Sequence, residues 1–286
     1  MSKSPIGLIG VGLLGTALAE RMIRGGWEIL GFDVRPGQLD ALAATGGKPA
    51  GSAVEVGAAC DIVALCLPDS HVVAAVAAQI DETLRPGMLL LDATTGDPDQ
   101  TTALAERLKS RGVGYVDATI AGSSQQVRSG EATVIVGGEA ADVAAAEPIL
   151  ATWSPRVIHV GPAGSGSRVK LIVNLVLGLN RAALAEGLAL ARACGIDPAT
   201  ALEVLKATPA HSAAMETKGI KMVARDYTPQ ARLKQHAKDV GLIRALAARH
   251  GQQTPLSDIH AELLARAIEL GWGDADNSAV IEAWGK

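Results

Sequence analysis

Aromatic residues are nearly missing from this chain: Phe, Tyr and Trp together supply 2% of its 286 residues. The hydrophobic fraction is nevertheless 48%, with alanine a large part of it. Such a chain fills space with closely approaching backbone and small side chains, which suits helix-rich packing. Basic excess is lacking too. Lys and Arg number 26 against 30 Asp and Glu, for a formal charge of −4 and a pI near 5.9. Without a polybasic tail or a charge block, nucleic acid is not an expected partner, because phosphate binding needs a basic surface. Cysteine is scarce: Cys60, Cys66 and Cys194 are an odd number without metal-ligand spacing. Cys60 and Cys66 sit in or beside an apolar run and read as small buried thiols, in keeping with a cytoplasmic location. Long apolar runs are missing as well. The stretch from Leu171 to Leu179 is interrupted by Asn174 and Gly178 and followed by Asn180-Arg181, so no membrane span is expected. The opening Met-Ser-Lys-Ser-Pro leads straight into an apolar strand and leaves no room for a cleavable signal peptide.

What is present is a regular alternation. Short apolar runs occur at Ile6–Ile9, Glu28–Phe32, Ile62–Leu67, Met88–Leu91 and Val157–Val160, with weaker ones at Tyr115–Thr119 and Thr133–Val136. Helical patterns separate them, which predicts a mainly parallel sheet covered on both faces. After Gly161-Pro162 the pattern changes. Ser167–Ala193 reads as one long helix, Asp197-Pro198 as a helix start, and Pro229–Arg249 and Pro255–Leu270 as two more helices. The boundary is expected near residues 161–164, between an α/β domain over 1–162 and an all-α domain over 163–286.

Gly10-Val11-Gly12-Leu13-Leu14-Gly15 stands between the first strand and the helix ending near Arg24. In that place a GxGxxG turn has a mechanism. Gly10 permits the tight turn, Gly12 admits a pyrophosphate to the backbone, and Gly15 lets helix and sheet pack closely. The helix N-terminus then offers unpaired N–H groups to the phosphates. Asp33 follows 18 residues after Gly15, at the end of the second strand. Its carboxylate suits the two adenine-ribose hydroxyls and repels a 2′-phosphate. The reading is a doubly wound Rossmann domain that prefers NAD, with NADP possible because Arg35 could pair with a phosphate.

In the second half, Gly164-Ser165-Gly166-Ser167-Arg168-Val169-Lys170 is followed by Asn174. Lys170 and Asn174 are four apart and share a helix face, expected to line an interdomain cleft. With Gly7–Gly15, Leu67-Pro68, Asp92-Ala93-Thr94-Thr95, Asp117–Gly122, Lys238-Asp239 and Asp276-Asn277-Ser278-Ala279, these segments form an ordered set. The set resembles the β-hydroxyacid dehydrogenase family, which includes 3-hydroxyisobutyrate dehydrogenase, over nearly the whole chain. The resemblance implies an NAD(P)-dependent dehydrogenase/reductase that interconverts a small β-hydroxyacid and its semialdehyde or oxo form. It makes Lys170 the acid–base group and Asn174 a substrate-orienting residue. Lys238 resembles a lysine that reaches the closed active site beside cofactor and substrate. Leu67, Pro68 and Thr95 fall among the cofactor contacts with Gly10 to Leu14 and Asp33, and Gly122 in a loop whose N–H groups hold a substrate carboxylate. Hydride transfer leaves negative charge on oxygen, so a positioned ammonium both stabilises it and supplies the proton.

One segment departs from the family. Asp117-Ala118-Thr119-Ile120-Ala121-Gly122-Ser123-Ser124 has Ala121 where a substrate-binding serine is usual, and Ser123 in place of a glycine. Ser123 and Ser124 thus become candidate donors to a small anionic substrate more polar than 3-hydroxyisobutyrate. An imine reductase shares the architecture but typically lacks the lysine, and a non-catalytic dinucleotide-binding regulator should have lost Lys170 or Asn174. His236 has no metal-spaced partners and reads as a polar helix residue, so no metal is expected. Trp272 and Trp284 read as packing anchors. Leu171, Val173, Leu177 and Leu184 lie off the active-site face of the long helix and suggest a homodimer or homotetramer.

Overall fold

A computed structural model describes residues 4–285. Residues 1–3, part of the opening from which the signal-peptide expectation came, and residue 286 lie outside the described residues. The chain divides into two compact units, Met1–Lys170 and Leu171–Lys286.

The first unit alternates strands and helices. In chain order these are β1 (Ile6–Ile9), α1 (Leu13–Arg24), β2 (Ile29–Phe32), α2 (Pro36–Ala44), β3 (Lys48–Pro49), α3 (Ala53–Ala59), β4 (Ile62–Leu65) and α4 (Ser70–Gln79). Then come β5 (Leu89–Asp92), α5 (Pro98–Lys109), β6 (Gly114–Ala121), α6 (Ser124–Ser129), β7 (Thr133–Gly138), α7 (Ala140–Trp153) and β8 (Val157–Gly161). The strands join in the order β3-β2-β1-β4-β5-β6-β7-β8. All pairs are parallel except β6 with β7.

Alternate residues of the short apolar strands go to opposite faces. Ile6, Leu8, Leu89 and Leu91 pack with α1 and α7 around Leu18, Met22 and Trp153. Ile9, Val63, Leu65 and Leu90 pack on the other face with Val56, Val73 and Val76 of α3 and α4. Strands covered on both sides need apolar residues at every position, which is why they read as unbroken runs. The expected doubly wound, mainly parallel sheet is therefore present. Because β1 lies between β2 and β4, the chain reverses direction there, and a crevice opens at the carboxyl ends of these strands.

The long helix α8 (Ser165–Ala193) runs from the first unit into the second. It is followed by α9 (Pro198–Lys206), α10 (Ile220–Ala224), α11 (Leu233–Arg249), α12 (Pro255–Ala267) and a 3₁₀ segment over Asn277–Trp284. Among the described residues no strand follows β8. Leu184, Leu188, Leu202, Met222, Leu233, Val240, Leu264 and Val280 form the second core. Trp272 and Trp284 pack against it, and Trp272 meets Tyr227 edge-on with ring centroids 5.2 Å apart. Asp276 ties the unit together: it is fully buried and accepts from Lys218 Nζ at 2.8 Å, the Gln230 N–H at 2.9 Å and the Ser278 N–H at 3.1 Å.

Several details differ from the sequence reading. Leu171 and Leu184 are buried within the chain, so they offer nothing to a second copy; of the expected contact residues Leu177 is exposed, together with Ile172, Val176 and Leu190 of α8. Over its full 29 residues α8 is long and apolar enough to cross a membrane by length and composition, which the shorter 171–179 window concealed. However, Lys170, Asn174 and Arg181 interrupt it, and Leu184, Ala185 and Leu188 are committed to the helical core. Cys60 is buried, which pushes its thiol up to about 11, while Cys66 is half-buried.

Candidate active site

The glycine turn shows why each glycine is needed. At Gly10, with φ +95°, a Cβ would strike the Cys66 carbonyl, and at Gly15 it would strike the Gly10 carbonyl. Any side chain at either position would therefore push α1 away from β1 and β4. At Gly12 the space is open, and the nearest atom to an added Cβ is Arg35 Nη2 at 3.6 Å. Gly12 is also the N-cap of α1, with no capping side chain and no acidic residue in the first turn. Open space beside uncapped N–H groups at a helix N-terminus fits a dinucleotide pyrophosphate.

Asp33 stands next to this turn. It accepts the Val11 N–H at 2.9 Å, and its other oxygen accepts the Arg35 N–H at 2.9 Å and Arg35 Nε at 3.2 Å. Burial opposes its charge, but the bonds from Arg35 and Val11 outweigh that and lower its pKa. The anionic form is thus held at the end of β2, with Arg35 laid against it.

The carboxyl ends of β4 and β5 are joined by a chain of bonds. Tyr115 Oη donates to Asp92 at 2.6 Å, Asp92 accepts the Thr94 N–H at 2.8 Å, and Thr94 Oγ1 accepts the Leu67 N–H at 3.0 Å. This fixes the loops that carry Leu67, Pro68 and Thr95. Since β2, β1, β4, β5 and β6 are parallel neighbours, Asp33, Gly10 to Leu14, Leu67, Pro68, Thr95 and Gly122 all follow strand ends on one edge of the sheet.

On β6 a second buried carboxylate, Asp117, accepts the Gly164 N–H at 2.9 Å and the Ser167 N–H at 2.7 Å. Thr119 Oγ1, two residues on, reaches the Gly166 carbonyl at 3.3 Å. The first turn of helix α8 is therefore fastened to β6 at Asp117 and Thr119. Lys170 follows Gly166 by four residues, about 6 Å along the axis, and is buried at 8% exposure. Burial raises Asp117 to about 6 against its two backbone bonds, and neighbouring Asp92 adds to the rise.

After Ala121 the chain does not form the open loop that its sequence suggests. Ser123 and Gln126 make a capping box for α6, with the Ser123 hydroxyl accepting the Gln126 N–H and Gln126 Oε1 accepting the Ser123 N–H. The Ser-x-x-Gln spacing carries that signal. The Ser123 hydroxyl proton is not used by the cap. Gly122 is exposed, and a Cβ there would come 2.9 Å from the Ala132 Cβ, so this backbone stays bare.

In the second unit, Asn174 Nδ2 donates to Asp239 Oδ2 at 2.9 Å, and Lys238 Nζ lies 3.0 Å from Asp239 Oδ1. Three residues from α8 and α11 are thereby brought together. Asp239 was legible only as the neighbour of Lys238; its link to Asn174 spans 65 residues and has no local sign. His236 is buried, with its ring 5.1 Å from that of His260. Burial, and then Arg181, lowers His260 to about 4. Among the described residues no group of three His, Cys, Asp or Glu is set to hold a metal.

Comparison with known proteins places the chain in a family. Residues 5–161 match the profile of the NAD binding domain of 6-phosphogluconate dehydrogenase, and residues 164–284 the profile described as NAD-binding of NADP-dependent 3-hydroxyisobutyrate dehydrogenase. L-threonate dehydrogenase of Cupriavidus necator is 32% identical, covering 99% of this chain and 96% of its own. 2-(Hydroxymethyl)glutarate dehydrogenase of Eubacterium barkeri is 30% identical, with the same coverage. The crystal structure of 3-hydroxyisobutyrate dehydrogenase from Salmonella typhimurium superposes with a TM-score of 0.90 at 28% identity, covering 97% of this chain and 98% of that one. A chain matched end to end in sequence and fold belongs to the β-hydroxyacid dehydrogenase family of NAD(P)-dependent oxidoreductases.

Proposed function

We propose that this enzyme oxidises a small, polar β-hydroxyacid, or reduces the matching semialdehyde or oxo acid, with Lys170 as its acid–base group. The observation that carries this reading is the buried Lys170 on a helix fastened to β6, the strand that leads into Gly122. When bound, the nicotinamide supplies the hydride acceptor for oxidation and the donor for reduction. Lys170 takes the hydroxyl proton in one direction and protonates the carbonyl oxygen in the other. The Gly122 backbone and the hydroxyls of Ser123 and Ser124 receive the anionic head of the substrate. Asn174, oriented by Asp239, and Lys238 complete substrate binding, and Lys238 also contacts the cofactor. Gly10, Val11, Gly12, Leu13 and Leu14 hold the pyrophosphate, Asp33 the adenine ribose, and Leu67, Pro68 and Thr95 the nicotinamide side. This gives residues 1–162 the cofactor and residues 163–286 the substrate and subunit contacts.

Two relatives act, by their names, on threonate and 2-(hydroxymethyl)glutarate, both more polar than 3-hydroxyisobutyrate. Together with the serines after Gly122 they favour a substrate of that kind. We also infer a cytoplasmic enzyme without nucleic-acid or membrane partners, assembled as a homodimer or homotetramer. Most of its exposed large apolar side chains lie in the helical unit, among them Ile172, Val176, Leu190, Val204, Ile220, Leu256 and Ile259, and such concentrations mark contact surfaces. The test is NAD reduction with a panel containing L-threonate, 2-(hydroxymethyl)glutarate, L-serine and 3-hydroxyisobutyrate. A polar β-hydroxyacid should give the highest kcat/KM; efficient turnover of 3-hydroxyisobutyrate alone would refute the substrate assignment.

A further inference from the structure

We infer that Asp117 is a positioning residue: a remote cap that sets the start of α8 and so the place of Lys170 relative to the substrate loop. The need for a remote cap comes from Gly164, the residue before the first turn. An N-cap side chain normally accepts an N–H from the second or third helical residue. Gly164 has none and cannot acquire one, because its φ is +89° and a Cβ would run into Thr102 Oγ1 and come within 2.9 Å of the Pro98 carbonyl. Asp117 does the work from 50 residues away, taking the N–H of Ser167, the third helical residue, and the N–H of Gly164 itself. Its carboxylate is 1% exposed and has no room to shift. A Cβ on Gly137 would strike its Oδ1, and one on Gly166 would stand 2.8 Å from Oδ2. Thr119 adds a bond to the Gly166 carbonyl from the same strand. The strand that delivers Gly122 therefore also sets the helix that delivers Lys170, and both halves of the proposed reaction site move as one piece.

This assignment rests on the reading of Lys170 as the acid–base group, and a double-mutant cycle separates the two. Asp117→Asn keeps the shape but removes the charge and sets its NH₂ against one of the two N–H donors, since each carboxylate oxygen accepts one of them. Misplacement of a reacting group by about 1 Å costs on the order of 10²-fold. Asp117→Asn should therefore lower kcat by roughly 10- to 100-fold, with the Kd for NAD, read by nucleotide titration, nearly unchanged. In a Lys170→Ala background the same substitution should cost nothing further, since the group it positions is gone. Thr119→Val, a gentler change of the same attachment, should lower kcat less and be silent in the Lys170→Ala background too; it carries the test alone if Asp117→Asn does not fold. Losses that add in the two backgrounds, or a kcat unchanged in both single variants, would overturn the positioning role while leaving Lys170 in place. A Lys170→Ala enzyme with normal turnover would overturn the proposed chemistry itself.

Discussion

At the scale of single residues, Asp33 and Arg35 are the groups proposed to set the preference between NAD and NADP. The Asp33 anion, stabilised by the Val11 N–H and by Arg35, suits two ribose hydroxyls and opposes a phosphate. NAD should therefore show the higher kcat/KM, and Arg35→Ala should leave that order intact. NADP used equally well or better would mean that Arg35 leaves Asp33 to bind the 2′-phosphate. Asp117 adds a pH effect. Its pKa is raised from 3.8 to about 6, so the folded chain holds this proton more tightly than the unfolded chain does. Its contribution to stability is thus greatest at acid pH and is lost as pH rises through about 6. Acidification through that window does not unfold the protein on its account, but it removes the charge that accepts the Gly164 and Ser167 N–H groups. The kcat profile should show an acid limb near pH 6 that Asp117→Asn abolishes; a limb that persists in the variant belongs to another group. Spacing from the glycine turn singled out Asp33, and the family resemblance singled out Lys170. Asp117 and Asp239 were visible only as parts of family landmarks, because bonds across 47 to 65 residues leave no local pattern.

Elements were read best where both faces are buried. The continuous apolar runs of β1, β4 and β5 and the capped start of α9 left little freedom. The two-residue, exposed β3 and the six-residue α6 were missed, since neither buries enough side chain to impose a period. Helix α8 shows what periodicity can and cannot say: Leu171 and Leu184 were recognised as apolar, but which element would cover them was not. Its Gly178 has a packing reason. A Cβ there would come 2.6 Å from His236 Nε2 and 2.7 Å from His260 Cε1. Overpacking of this kind costs about 1–3 kcal/mol, so Gly178→Ala should lower the denaturation midpoint with an unchanged slope. An unaltered midpoint would show that the two histidine rings can give way.

For the whole molecule, the change from alternating strands and helices to helices alone was plain in the sequence, because strand signals stop after residue 160. Assembly was less so, since exposure depends on the tertiary fold. Ile172, Val176 and Leu190 recur on one face of α8 and should be covered by another copy. Light scattering should give a mass at least twice 29.2 kDa, and Ile172→Asp with Val176→Asp should reduce it; a wild-type monomer would refute the interface. The central claim, that Lys170 performs the proton transfer, is tested most directly by turnover of Lys170→Ala alongside its affinity for NAD. Loss of kcat by roughly 10²–10⁴ with nearly unchanged NAD binding is the predicted result, and near-normal turnover would contradict the account.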